Sequence, residues 1–379
     1  MKRIRNISTI AILWLLSGCT ALLAQAPVGP ITPLPGTPVQ QAPPQAQFRV
    51  QVSLVNTPVT VRNSKGQMIH DLDAKDFRVT DNGVEQKILH FDLGTDPLSL
   101  VILVENSSRI APMLPQIRKT GIVFTQVVMG PNAEAAVVSF NDSIDKLQDF
   151  TTNADAIEKT IGSLAEGTSG SKLYDAMSFG VEMLTGRPEV TADNPGHRRV
   201  LMILSEASDV GSEAKLGEIL RRAQTANVTI YSVGLSTTRA ELQEKPKDTR
   251  ISGTPPGVVV GPTIPGTVAT PDTQAQQQGN IDLLALAVWA VQHADQQVKA
   301  RALELAAEAT GGEHLATFKD RSIEKAIDEI GGELHSQYVL TYTPSGSNDS
   351  GYHEIKVEVD RKGLKVRSRP GYYLAVPAI

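Results

Sequence analysis

Residues 98–109, LSLVILVENSSR, constrain the chain more than any other stretch. Leu100, Val101, Ile102, Leu103 and Val104 are apolar without alternation, so a strand through them has no face that tolerates water. Such a strand belongs in the middle of a parallel sheet, covered by helices on both sides. The run stops abruptly at Glu105, with Asn106, Ser107 and Ser108 behind it. Open α/β sheets bind their ligands at the carboxyl ends of such strands, so a polar site is expected there. Two other stretches are built to meet it: EGTSGSKLYD from Glu166 to Asp175, and VLMILSEASD from Val200 to Asp209, which is again an apolar strand ending in an acidic residue, Glu206.

Around this strand the chain alternates between strand-like runs and helical spacing from Leu98 to Ser236, which argues a doubly wound, mostly parallel, Rossmann-like α/β domain. Met113, Leu114, Ile117, Phe124 and Val127 mark a first helix. Ala135 to Phe140 and Asp142 to Phe150 read as a strand and its antiparallel partner. Thr152 or Asn153 caps the helix of Ile157, Ile161 and Leu164. A helix from Leu173 to Leu184 follows, then strands at Val200 to Leu204 and Val228 to Val233 around the helix of Leu216, Ile219 and Leu220. Residues 237–279, rich in Pro and Gln, offer little that could form a core and are expected to be a disordered insertion. Helices resume at Ile281 to His293 and Val298 to Ala309. Leu315 begins a short strand, and Ile323, Ile327 and Ile330 mark a last helix.

The ends of the chain have the period of strands. Residues 48–97 carry alternating Phe48, Val50, Val52 and Leu54, then Val59 and Val61. Phe77 and Val79 run into the strong turn Asp81-Asn82-Gly83, with Val84, Ile88 and Phe91 beyond it. Residues 335–379 carry Tyr338, Leu340 and Tyr342, then Ile355, Val357 and Val359, then Leu364 and Val366 after Lys362-Gly363. Neither half buries enough to stand alone. The economical solution is one β-sandwich made from both ends, with the α/β domain, residues 98–334, inserted in it.

Residues 1–18 have the layout of an export signal: Lys2, Arg3 and Arg5, then an apolar run from Ile10 to Leu16. Leu16-Ser17-Gly18-Cys19 resembles the lipobox of bacterial lipoproteins, which implies lipidation of Cys19, the only cysteine. Cleavage after Ala24-Gln25-Ala26 is the competing reading. The expected location is the outer membrane or periplasm. Residues 19–47, with seven prolines between Pro27 and Pro44, then read either as a tether that at roughly 3.1 Å per residue reaches on the order of 80 Å or as a disordered leader with no spacer role. Disulfides are excluded, and with 36 basic against 41 acidic residues nothing suggests a nucleic-acid binder.

The strand ending in ENSSR, the segment SKLYDA, the strand ending in LSEASD and the tail motifs QYVLTYTP and RPGYY resemble a bacterial von Willebrand factor A (VWFA)-related family. The resemblance implies a fold that binds protein ligands, in many members through a metal-ion-dependent adhesion site in which D-x-S-x-S, a Thr and an Asp hold a divalent cation. Those positions fall on Glu105, Ser107, Arg109, Ser171 and Glu206, and four of the five depart from the pattern. Mg²⁺ tolerates little deviation from octahedral geometry, and Ca²⁺ more. Arg109 brings a fixed positive charge to the place of a dication. The expectation is an ion pair of Arg109 with Glu105 and Glu206, no bound metal, and a recognition surface for a protein partner in the envelope or outside the cell. The alternatives are Mg²⁺ or Ca²⁺ held by Glu105, Ser107, Ser171 and Glu206, or residues that only satisfy strand ends in a structural envelope component.

Enzyme signatures are sparse. Ser169-Gly170-Ser171-Lys172 matches the acylating S-x-x-K of penicillin-recognising enzymes, but the companion S-D-N and K-T-G are missing. Seven scattered histidines show no ligand spacing, and there is neither a nucleophile elbow nor a phosphate-binding loop. A hydrolase using Ser169 and Lys172 is the enzymatic alternative to a non-enzymatic interaction module.

Overall fold

The computed structural model describes residues 54–94, 96–130, 132–188, 196–235, 301–317, 322–345 and 351–374. The export signal, Cys19, the tether, the 237–279 insertion and the helix expected over Ile281 to His293 lie outside the described residues. The N-terminal part supplies β1 (Val55–Arg62), β2 (Phe77–Asp81), β3 (Val84–Gln86) and β4 (Ile88–Leu93). The middle supplies β5 (Leu98–Glu105), β6 (Glu134–Phe140), β7 (Ile144–Thr151), β8 (Arg198–Ser205), β9 (Val228–Gly234) and β10 (His314–Ala316). Its helices are α1 (Ala154–Gly162), α2 (Leu173–Thr185), α3 (Leu216–Thr225), α4 (Ala302–Thr310) and α5 (Ile323–Ser336). The tail adds β11 (Tyr338–Tyr342), β12 (Gly351–Val359), β13 (Lys365–Ser368) and β14 (Gly371–Leu374).

β5 is buried along its whole length and lies in the middle of a six-stranded sheet, order β10-β9-β8-β5-β6-β7. Every pair is parallel except β6–β7. Leu98, Leu100, Ile102 and Val104 pack on one face against Ile157 and Ile161 of α1 and Ile327 and Ile330 of α5. Val101 and Leu103 pack on the other against Met177 of α2, Ile219 of α3 and Leu303 of α4. Two covered faces are why the sequence of β5 does not alternate, and each such buried side chain stabilises the fold by roughly 1.5–3 kcal/mol. Asn153 caps α1, its side chain accepting from the Ala156 amide.

The first expected helix is instead a chain of short turns. Residues Ser108–Met113 and Arg118–Thr120 are 3-10, Leu114–Ile117 and Gly121–Val123 are α-helical, and Phe124–Val128 is a π-turn. Pro112 and Pro115 explain the breaks, since neither can donate and each restricts its predecessor. The apolar spacing still reports burial at Leu114, Ile117 and Phe124, which lie in the core; Met113 packs against it partly buried, and Val127 is only half-buried, its neighbour Val128 taking the core position.

The chain ends interleave in a sandwich of two four-stranded sheets, β13-β1-β11-β4 and β14-β12-β2-β3. Val59, Phe77, Val79, Leu340 and Ile355 share its core with stacked rings of Phe91 and Tyr338. Asn82 and Gly83 both take positive φ, 47° and 79°, the two-residue turn that suits the twist of the β2–β3 hairpin. The strand of Phe91 does not continue that hairpin; β4 crosses to the other sheet and pairs with β11.

Alternation along β1 divides labour between sandwich and block. Val55, Val59 and Val61 enter the sandwich core, whereas Thr60 and Arg62 face the α/β domain. Gln337 Nε2 donates to Thr60 Oγ1 at 3.2 Å, and Arg62 Nη2 donates to Glu333 Oε2 at 2.8 Å. Glu333, fully buried on α5, also accepts from Tyr231 Oη at 2.9 Å and from Arg367 in a short contact. Glu313 completes this seam, 3.3 Å from both Arg62 and Arg367.

Glu333 stays ionised because Arg367 and its donors offset the cost of its burial. Glu313 beside it is pushed from 4.5 up to about 7, first by desolvation and then by Glu333, with the two arginines only partly opposing. A carboxyl whose folded pKa is raised favours folding below its ordinary pKa, and loses that contribution as pH rises through the folded value. We therefore expect wild type to match Glu313→Gln in urea stability near pH 4.5 and to fall behind it between pH 4.5 and about 7. An unchanging difference across that window contradicts this picture of the seam.

Candidate functional site

β5 and β8 end side by side, and this brings Glu105 and Glu206 together. Glu105 is completely buried. Its Oε1 accepts from Ser107 Oγ at 2.7 Å, and its Oε2 accepts from Ser205 Oγ at 2.7 Å and from the Glu206 amide at 3.0 Å. Arg109 reaches back over this carboxylate: its Nη2 is 2.9 Å from Glu206 Oε1 and 3.8 Å from Glu105 Oε1. The i,i+4 reach of Arg109 comes from the 3-10 turn that begins at Ser108. Neither contact has hydrogen-bond alignment, so Arg109 is held by charge rather than by directed bonds.

The loops that carry these groups are stapled to one another. Asn106 Nδ2 donates to Ala165 O at 2.9 Å, Asn141 Nδ2 donates to Asn106 Oδ1 at 2.9 Å, and Thr168 Oγ1 donates to Asn141 Oδ1 at 2.8 Å. The Ser108 amide donates to Thr168 O at 2.9 Å. On the other side, the Val210 amide donates to Ser171 O at 2.7 Å, and Asp209 Oδ1 accepts from the Tyr174 amide at 3.0 Å. Asp175 Oδ1 accepts from the Glu213 and Ala214 amides. Carboxylates and amides thus hold three loops in one arrangement. Ala207, at φ +64°, sits in the left-handed region that L side chains disfavour, directly after Glu206.

Of the residues expected from the sequence, Glu105, Ser107, Arg109 and Glu206 meet in one place. Ser171 lies in the adjoining loop, completely buried, and its hydroxyl has no partner among the described residues. Ser169 is exposed, and no hydrogen bond joins it to Lys172 among the described residues. The sequence reading missed Ser205, Asn106, Asn141 and Thr168. The first two flank the acidic residues directly, and that adjacency was the available signal; nothing local marks Asn141 or Thr168.

A central buried strand, ligand loops at its carboxyl end and helices on both faces are joined here by a sequence match. Residues 99–256 match the family model of the von Willebrand factor type A domain. The chain carries a von Willebrand factor type A (VWA) domain. No curated protein matches the chain in sequence. Among solved structures, it is similar to an aerotolerance-related membrane protein from Bacteroides fragilis, at 10% identity over 62% of this chain and 98% of that one, with a TM-score of 0.37. BatB from Bacteroides thetaiotaomicron gives 12% identity over the same shares and the same score. Proximal thread matrix protein 1 from the mussel byssus, solved with zinc at its adhesion motif, gives 17% identity over 40% of each chain and a TM-score of 0.33. Nothing functional rests on these three, whose scores are low.

VWA domains can bind a metal at this end of the sheet, so the fit of these residues to a divalent cation can be judged directly. Both oxygens of Glu105 are engaged by donors, and the Arg109 guanidinium sits against Glu206. Among the described residues no group of three or more His, Cys, Asp or Glu side chains is arranged to hold a metal. The residues present do not fit a divalent cation. Glu105→Ala should leave the Ser107, Ser205 and Glu206 donors unmet. At roughly 1–3 kcal/mol for each buried unsatisfied group, urea unfolding should register a loss of about 3 kcal/mol or more. A loss below about 1 kcal/mol would mean that water replaces the carboxylate without penalty.

Proposed function

We propose that this is an exported, lipid-anchored envelope protein whose VWA domain captures a protein partner at the strand-end loops without a bound metal. The observation that carries the proposal is the position of Arg109 between Glu105 and Glu206, where a resident positive charge stands in for a cation. Fixed loops favour recognition, because a surface ordered before binding loses less conformational entropy when a partner docks. Thr168, Ser169 and Val210 form an exposed rim beside the ion pair. The lipobox-like Leu16-Ser17-Gly18-Cys19 and the Pro-rich stretch behind it supply the anchor and the reach.

One observation favours a second reading. The buried hydroxyl of Ser171, without a partner among the described residues, falls where the family places a hydroxyl ligand, so a cation-dependent adhesion site would need the withdrawal of Arg109 and a lone pair of Glu105 turned from its donors to the cation.

The capture reading is tested by photocrosslinking the anchored protein in the envelope of the cell that produces it. Glu206→Arg and Val210→Asp are compared with Asp155→Arg, a charge control on an exposed face of α1. The two loop variants should lose the crosslinked partner by about tenfold or more, equivalent to about 1.4 kcal/mol of binding, with the control unchanged. Equal crosslinking by all variants with intact folds would remove the partner from this site.

A further inference from the structure

At the opposite end of the α/β sheet, where β8 and β9 begin, a small cavity separates the block from the sandwich. It is lined by Asn56, Arg198, Arg199, Asn227, Gln337 and Arg369, among others, and has room for one or two water-sized spheres, about 20 Å³. Three arginines line it, and among the described residues no carboxylate does. All three are buried: Arg198 at 8%, Arg199 at 6% and Arg369 at 4% exposure.

Two of them are largely occupied. Arg198 donates to Leu334 O at 2.7 Å and Gln337 Oε1 at 3.0 Å, and Arg199 donates to Ala226 O at 2.8 Å and Arg187 O at 2.5 Å. Arg369 is different. Its Nη1 donates to Asn227 Oδ1 at 2.8 Å and its guanidinium lies 5.4 Å from the Tyr372 ring centroid, but Nε and Nη2 have no partner among the described residues. Asp81, the carboxylate that acts on it electrostatically, spends its oxygens on Tyr342, Tyr372 and His353. Asn56 Oδ1 also lacks a partner among the described residues, and a half-turn of that amide would present two further donors. Buried charges are ordinarily paired, and unpartnered buried donors are rare.

We propose that this cavity is a binding site for a small monovalent anion of halide size, held by Arg369 and the facing arginines. The space suits a halide better than a tetrahedral oxyanion. Because the lining comes from β1, β11 and Arg369 on the sandwich side and from β8 and β9 on the block side, the anion bolts the two together and stabilises the whole fold.

Thermal unfolding of the full chain at fixed ionic strength, with chloride replacing gluconate, tests this. Wild type should show a saturable rise in Tm on the order of 5 °C, as linkage requires of a ligand bound only by the folded state. Arg369→Met should abolish the rise. Equal Tm values in both salts, an undiminished rise in Arg369→Met, or a response to sulfate but not chloride would overturn the proposal. Should Arg369→Met fail to fold, crystals of wild type grown in bromide decide: anomalous scattering beside Arg369 supports the site, and water alone in the cavity overturns it.

Discussion

The carboxylate of Glu105 is the group around which the strand-end loops are built. It stands at the end of a wholly buried strand, where an uncompensated charge would cost heavily in desolvation. Two hydroxyls, one backbone amide and a guanidinium meet it. Those partners have three structural consequences. Ser205 and the Glu206 amide fix the end of β8, Ser107 fixes the turn out of β5, and Arg109 draws in Glu206. Through this one carboxylate the ends of β5 and β8 are tied together.

The same logic recurs at the seam between the two halves of the molecule. Glu333 is buried like Glu105 and is likewise surrounded by donors, here Arg62, Arg367 and Tyr231. Its partners come from β1, β13 and β9, so sandwich and block are held by charge as well as by apolar packing. Because the sandwich is assembled from both ends of the chain, closing it fixes the block between them. The anion cavity lies on that same seam, which therefore carries two centres sensitive to the solution: one to protons and one to anions.

Much of this architecture was legible in the sequence because it is carried by period and by turn chemistry. The unbroken run from Leu100 to Val104 requires two covered faces, and the structure places helices on both. Alternation at Tyr338, Leu340 and Tyr342 requires a sheet with distinct faces, and Asn82-Gly83 requires a tight hairpin. The failures have equally physical causes. Spacing at Leu114, Ile117 and Phe124 reports burial but not hydrogen bonding, and Pro112 and Pro115 broke the helix that spacing implied. The crossing of β4 to the second sheet depends on pairing partners more than two hundred residues away. Glu105, Ser107, Arg109 and Glu206 could be named because they flank apolar strands. The Asn141–Thr168 bridge could not, since its members are joined only by the fold.

The central claim is that Arg109 occupies the place a metal would take. Calorimetric titration of the purified protein with Mg²⁺, Ca²⁺ and Mn²⁺, beside an Arg109→Ser variant, tests it most directly. The account predicts no binding heat for wild type and a gained site in the variant, where Glu105, Ser107, Ser171 and Glu206 are freed of the guanidinium. Binding by wild type with an affinity equal to that of the variant would contradict it.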